Sequence, residues 1–195
     1  MLPEEYEQRR RLPPHLRPQP EPEPEFSYRL RAAIDNDVPA LREMYNHFVT
    51  NSAVTFEPTA ITLAAMRSKL DACTRYGLPF TVAEAPSGQL IGMAYVQPWS
   101  LRASSRRVVE DNFYVGPAAS GRGLGRVLLA DLIEKCRDAG VKRIISVISD
   151  KNADASIHLH EALGFEHVGH MGKVGYKYDR WLGTVMLELK LSKKR

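Results

Sequence analysis

The stretch from Glu110 to Leu129, EDNFYVGPAASGRGLGRVLL, constrains the fold more than any other part of the chain. Phe113, Tyr114 and Val115 are strand formers. Gly116-Pro117 ends that strand, because Pro cannot donate to a ladder and Gly permits a turn. Gly121, Gly123 and Gly125 follow at alternate positions. Leu124, Val127, Leu128, Leu132, Ile133 and Cys136 then recur at helical spacing. A glycine loop that opens a helix leaves several backbone N–H groups without partners, aimed at one point. Such a place binds anions, and a phosphate is the usual guest. The loop is not a Walker loop, since no Gly-Lys-Ser/Thr follows. Nor is it a dinucleotide fingerprint, because Arg126 stands where its third Gly belongs.

The flanking sequence supplies a mixed α/β domain. Tyr28 to Ile34 reads as a strand, followed by a helix capped by Asp35 or Asn36, with Leu41, Met44, Tyr45 and Phe48 as its apolar stripe. A second helix is expected from Thr62 to Arg75, closed by Gly77. Phe80 to Ala85 and Leu90 to Pro98 read as a hairpin turned at Pro86-Ser87-Gly88. Arg107 to Val115 is a longer strand that leads into the glycine loop and a helix reaching about Ala139. Val141 to Ser149 is nearly all strand formers. A short helix over 153–163, capped by Asn152, precedes two last strands, Phe165 to Tyr178 and Trp181 to Leu191.

The chain has 195 residues, enough for one domain with a full core. More than half of its 13 prolines fall in residues 1–25, where Pro alternates with acidic residues from Gln19 to Glu25. That segment is expected to be a disordered tail, which leaves 26–195 as the folded domain. It has no secretory apolar stretch, and its glutamates argue against a transit peptide. No run is apolar enough to span a membrane. Cys73 and Cys136 fit no metal or disulfide spacing. The expected compartment is the cytoplasm. The net charge of +4 is scattered, which points away from nucleic acid.

The glycine loop resembles the acetyl-CoA loop of the GNAT N-acetyltransferases, written Q/R-x-x-G-x-G/A. Gly123 and Gly125 match it, and Ser120 departs at the Q/R position. Further motifs are similar in order and spacing to the phosphinothricin acetyltransferase branch of that superfamily. They are Tyr45-Asn46, Thr55-Phe56-Glu57, Gly92-Met93-Ala94-Tyr95, Val109-Glu110, Asn152, Leu159-His160-Glu161-Ala162-Leu163-Gly164-Phe165 and Gly175-Tyr176-Lys177 with Arg180-Trp181. The resemblance spans roughly residues 28 to 191. It implies a GNAT fold: a mixed, mostly antiparallel central sheet flanked by helices, with splayed central strands. The cofactor arm would lie in the splay beside Phe113, Tyr114 and Val115. Gly121, Arg122, Gly123, Leu124, Gly125 and Arg126 would hold the pyrophosphate, and Asn152 would approach from the other side. Acetyl-CoA is the implied co-substrate, no metal is implied, and members of the branch form homodimers.

Acetylation of an amine by a thioester needs a neutral amine and a proton for the departing thiolate. Glu110 lies within an apolar strand, where desolvation makes a carboxylate more basic. The residues alone leave it between such a base and an exposed strand carboxylate; the resemblance assigns it as the base, acting through water. Asp111 points to the opposite face. His160 stands where many superfamily members carry a proton-donating Tyr, and the resemblance assigns it to the thiolate. His158, His167 and His170 complete no metal set. Backbone N–H groups near Tyr114 would polarise the acetyl oxygen. Phe56, Glu57, Tyr95 and Trp99 are candidates for the acceptor pocket. Ser104-Ser105 and Gly183 depart from the branch near that pocket, which turns the expectation from phosphinothricin itself toward another amino-acid-like amine. A catalytically silent acyl-CoA sensor and a peptide or protein N-acetyltransferase are the alternative readings.

Overall fold

The computed structural model describes residues 26–100 and 107–192. The tail expected over 1–25 and the pair Ser104-Ser105 lie outside the described residues.

Eleven regular elements follow one another in the expected order. They are β1 (Arg29–Ala32), α1 (Val38–Asn51), α2 (Leu63–Tyr76), β2 (Phe80–Glu84), β3 (Leu90–Pro98), β4 (Val108–Val115), α3 (Leu124–Asp138), β5 (Arg143–Ser149), α4 (Asp154–Glu161), β6 (Glu166–Lys177) and β7 (Arg180–Lys190). The seven strands form one sheet in the order β1-β2-β3-β4-β5-β7-β6. Every pairing is antiparallel except β4–β5. The sheet is therefore mixed and mostly antiparallel, with helices on both faces.

Period-two alternation divides the core between those faces. Leu124, Leu128 and Leu132 of α3 are fully buried against Ala94, Val96, Val109, Ile144 and Leu187. Each such leucine stabilises the fold by about 2 kcal/mol. On the opposite face Val38, Leu41 and Tyr45 of α1 and Met66 and Leu70 of α2 pack on Val82, Met93 and Tyr95.

Two caps differ from expectation. The N-cap of α1 is Asp37, one residue beyond Asn36, after a short 3-10 turn over Asp35–Asp37. Its carboxylate accepts from the Ile34 N–H (2.8 Å) and from Arg31 of β1 (2.7 and 2.9 Å). A buried ion pair with β1 thus determines where the helix begins. Asn152 does not cap α4 either: it takes a left-handed φ of 56°, and α4 starts from Ala153 without a side-chain cap. Thr62, expected as the start of the second helix, is its N-cap, the hydroxyl accepting from Ala65 N–H at 3.1 Å.

The segment after α1 is tied to the last hairpin. Lys177 is buried and donates to the carbonyls of Ser52 and Thr55, both at 3.0 Å. Burial lowers its pKa. Tyr178 donates to the Val49 carbonyl at 3.1 Å.

Candidate functional site

The parallel pairing of β4 with β5 lasts for three residue pairs and ends at Glu110–Ile145. Beyond that point β4 stays paired with β3 as far as Val115, and β5 stays paired with β7 as far as Ser149. The two strands therefore part in a V with Glu110 at its vertex. Backbone groups facing the gap have no strand to bond, and unpaired strand backbone is a template for an extended, amide-bearing ligand. A cavity of about 450 Å³ fills the gap. It is lined from one side of the sheet by Phe48, Val54, Asn112 and Tyr114, and from the other by Phe113, Val115, Leu159 and His160. The opening thus passes through the sheet.

The glycine loop closes one end of this cavity. Gly121 (φ 73°) and Gly123 (φ 80°) adopt left-handed backbone, which a side chain would strain. Gly123 is the N-cap of α3. The first N–H groups to bond inside the helix are those of Arg126 and Val127, both to the Gly123 carbonyl (3.1 and 3.4 Å). Those of Gly121 to Gly125 precede that ladder, and Gly121, Gly123, Leu124 and Gly125 border the cavity. Gly125 faces Leu159 and Phe113 at ordinary contact distance. A Cβ there would meet Leu159 at 3.4 Å and Phe113 at 3.6 Å. Arg122 and Arg126 are exposed and line no part of the cavity; Arg122 lies over the Phe26 ring, 5.1 Å from its centroid.

Glu110 points toward α1 and α2. Burial raises the pKa of its carboxyl; the Gln97 amide, donating at 3.4 Å, works against this, the charge of Asp111 adds to it, and Lys69 opposes it. The result is a carboxylate more basic than usual at the vertex of the V. Tyr95 and Asn112 sit opposite each other in the β3–β4 register, on the Glu110 face. The Tyr95 hydroxyl and the Asn112 amide nitrogen are buried without a hydrogen-bond partner. Burial drives the Tyr114 phenol well above its ordinary pKa and that of Tyr45 up to about 12, so both are neutral donors.

His160 occupies the other face, buried between Phe113 and Phe165 (ring centroids 5.5 and 4.8 Å). Its Nδ1 lies 2.7 Å from the Ser156 carbonyl and its Nε2 2.9 Å from Asp111 Oδ2. Ser146 donates to Asp111 Oδ1 at 2.5 Å. Burial alone would lower the His160 pKa; the hydrogen bond and charge of Asp111 and the Ser156 carbonyl outweigh it and raise the value.

The remaining candidates scatter. Asn152 borders the cavity; Glu110, Tyr95, Phe56, Glu57 and Trp99 do not line it. Phe56 packs on β6, where a Cβ at Gly175 would come within 2.8 Å of its ring. Glu57 is exposed. Among the described residues no three His, Cys, Asp or Glu side chains converge as a metal site.

The sequence profile of the Acetyltransferase (GNAT) family matches residues 40–165. The chain belongs to the GNAT family. It is an N-acetyltransferase by that membership and by its relatives. It is 35% identical over 163 residues to a phosphinothricin N-acetyltransferase of Alcaligenes faecalis, covering 84% of this chain and 82% of the relative. It is 37% identical over 159 residues to an L-methionine sulfoximine/L-methionine sulfone acetyltransferase of Pseudomonas paraeruginosa, covering 82% and 92%. A phosphinothricin acetyltransferase of Sinorhizobium meliloti, solved in complex with acetyl-CoA, superposes with a TM-score of 0.81 at 36% identity, covering 86% of this chain and 90% of that one.

Several site residues escape a reading of the sequence. Asn112 shares the Glu110 face by period two, a signal present in the strand itself. Phe48, Val54 and Ser146 reach the site only through the tertiary fold. Asp111 is correctly placed on the opposite face, but its meeting with His160 joins residues 49 apart in sequence.

Proposed function

We propose that residues 26–195 form an N-acetyltransferase domain that moves acetyl from acetyl-CoA to the amine of a small, amino-acid-like molecule by direct attack. The observation that carries this reading is the V between β4 and β5, which has the glycine loop at its mouth and Glu110 at its vertex. The relatives' names supply the acceptor class. They act on phosphinothricin and on methionine sulfoximine, both amino-acid analogues.

The N–H groups of Gly121 to Gly125 receive the pyrophosphate, as a helix start receives any phosphate. Phe113, Tyr114, Val115 and Asn152 line the arm. Arg122 and Arg126, at the protein surface, add charge near the phosphates. Glu110 takes a proton from the acceptor ammonium through a water held near Tyr95 and Asn112. The free amine attacks the thioester carbon, whose oxygen is polarised by backbone N–H of the open part of β4 near Tyr114. The N–C bond forms and the C–S bond breaks. His160 assists the departing thiolate from the cleft wall. Phe56 and Glu57, held close by Lys177, border the path of the acceptor.

The domain acts as a cytoplasmic homodimer in this reading. Support for the dimer comes from β6, an edge strand that exposes Val168, Met171, Val174 and Tyr176 beside Trp181. Such an unpaired apolar edge calls for cover. Both cysteines are free and buried, as suits a reducing compartment. No helix among the described residues is long and apolar enough to cross a membrane.

The test is thiol release from acetyl-CoA across a panel of amino acids, their sulfoximine and phosphinic analogues, and peptides. Turnover with a free amino-acid analogue is expected. Acetyl-CoA binding without turnover on any amine would leave a sensor module, and turnover on peptides alone would replace the acceptor class. Light scattering on the wild type and on Val174→Glu reads the dimer, which the variant is expected to split.

A further inference from the structure

Asp111 takes no part in the chemistry above, yet it is buried, charged and central. Its two oxygens are both engaged: Oδ1 accepts from Ser146 at 2.5 Å and Oδ2 faces His160 Nε2 at 2.9 Å. The other ring nitrogen faces a peptide carbonyl, that of Ser156, at 2.7 Å. A carbonyl oxygen only accepts, so Nδ1 must carry hydrogen. Nε2 faces Oδ2 of Asp111, and an ionised carboxylate oxygen only accepts, so with Asp111 ionised Nε2 carries hydrogen as well. A histidine with a bond acceptor at each nitrogen is an imidazolium. His160 and Asp111 are both nearly inaccessible to water, and a buried charge persists when it is paired and hydrogen-bonded.

We infer that Asp111 is a positioning residue that locks His160 as an imidazolium with both N–H groups committed, so that His160 assists the thiolate as a fixed charge and not by surrendering a proton. The clause about the thiolate rests on the function proposed above; the lock itself does not. Proton donation would leave Nε2 bare against the Asp111 carboxylate, two acceptors in contact at hydrogen-bond distance. The same lock ties α4 to β4 and β5 across the V. It therefore holds the cleft wall formed by Ser156, Leu159 and His160 itself.

The surroundings of the pair are otherwise electrically quiet. Phe113 of β4 and Phe165 after α4 flank the ring. Cys136 of α3 lies near Asp111, its thiol pushed up to about 12 by burial and so neutral. Glu110 is on the far face of the sheet, where the Asp111 charge raises its pKa. Removing that charge therefore acts on two groups in a defined direction. His160 loses its partner, and its pKa falls. Glu110 loses a like-charged neighbour, and its pKa falls too.

The experiment is a titration of the full-length enzyme by NMR, with 15N-labelled histidine, alongside the pH profile of kcat. In the wild type both His160 ring nitrogens are expected to stay protonated above the ordinary histidine value of about 6.5, and kcat is expected to show no loss as pH rises through that value. In Asp111→Asn His160 is expected to titrate at or below about 6.5, with kcat dropping about tenfold for each pH unit above that point. The acid limb that belongs to Glu110 is expected to move to lower pH. Ser146→Ala removes a donor that draws charge from the same carboxylate, so it is expected to leave the ion pair in place, with the His160 pKa unchanged or higher. A singly protonated His160 ring in the wild type at pH 7 overturns the inference. So does a His160 pKa that Asp111→Asn leaves in place. If the ring titrates as expected while His160→Gln retains full kcat at every pH, the lock stands and the thiolate role fails.

Discussion

Around Glu110 and Asp111 the two faces of the sheet treat their buried polar groups differently. On the face covered by α3 and α4, polar side chains are paired. Asp111 holds His160 and Ser146, while Thr81 donates to Asp131 at 3.0 Å and accepts from Lys135 at 2.9 Å. On the other face Tyr95, Asn112 and Thr184 bury polar atoms that bond nothing. An unsatisfied buried group in a folded protein needs an explanation, and a ligand or its water is the simplest one. The contrast divides the labour. One face has its polar groups satisfied by the fold alone, and the other keeps unpaired polar atoms on the Glu110 side.

The strongest way to break this comparison is at Glu110. Glu110→Gln is expected to lower kcat on the order of 10² to 10⁴-fold, with acetyl-CoA binding by calorimetry unchanged. Equal kcat at every pH would remove Glu110 as base. The sign of its stability effect is also determined. A carboxyl whose folded pKa is raised favours folding below its unfolded value of about 4.5, and that contribution is lost as pH rises through the folded pKa. At pH 7 the ionised group is a cost to the fold, so Glu110→Gln is expected to be the more stable protein in urea.

Next in size is the loop. Gly123→Asp places a side chain at φ 80° and a negative charge beside the phosphate site. Acetyl-CoA affinity is expected to fall about tenfold or more, since left-handed backbone costs a side chain about 1–2 kcal/mol before any repulsion. Unchanged affinity by calorimetry would move the phosphates elsewhere. A paired comparison of the two faces comes third. Ser146→Ala strips a donor from buried Asp111 and is expected to cost about 1–3 kcal/mol. Tyr95→Phe removes a hydroxyl that bonds nothing and is expected to cost nearly nothing, while raising KM for the acceptor and leaving KM for acetyl-CoA unchanged. Urea midpoints and the two KM values read both. Equal losses of stability would erase the distinction between the faces. Smallest of all, and outside the site, Thr62→Ala is expected to remove about 1 kcal/mol through the lost cap, with kcat unmoved.

Local chemistry made the glycine loop and its flanking elements readable in advance. The Gly121-to-Gly125 spacing, the strand before it and the apolar period of the helix after it are all short-range signals. Period two put Glu110 and Asp111 on opposite faces, and the folded strand has them there. Distance along the chain is what concealed the rest. Asp37 begins α1 because Arg31 reaches it from β1, and His160 acquires its partner from β4. Asn152 looked like a cap because Asn caps helices well, but it also tolerates left-handed backbone better than most residues, and here that second property prevails. Tyr95 reads as acceptor pocket or core with equal ease in the sequence, and in the fold its ring stacks on Phe80 at 4.7 Å while its hydroxyl stays unpaired.

The short run of pairing between β4 and β5 has a mechanical consequence. Three residue pairs are the seam between a four-strand panel and a three-strand panel of one sheet. A seam so brief should open more readily than any other line through the sheet. A guest lying along the parted strands would stitch the panels together by supplying the missing rungs. Amide exchange along Asp111 to Val115 and Val147 to Ser149 should then slow when acetyl-CoA is present. At a hundred times its dissociation constant the ligand should add about 2.7 kcal/mol to the stability of the whole. The enzyme would thus be at its sturdiest when loaded and poised to react.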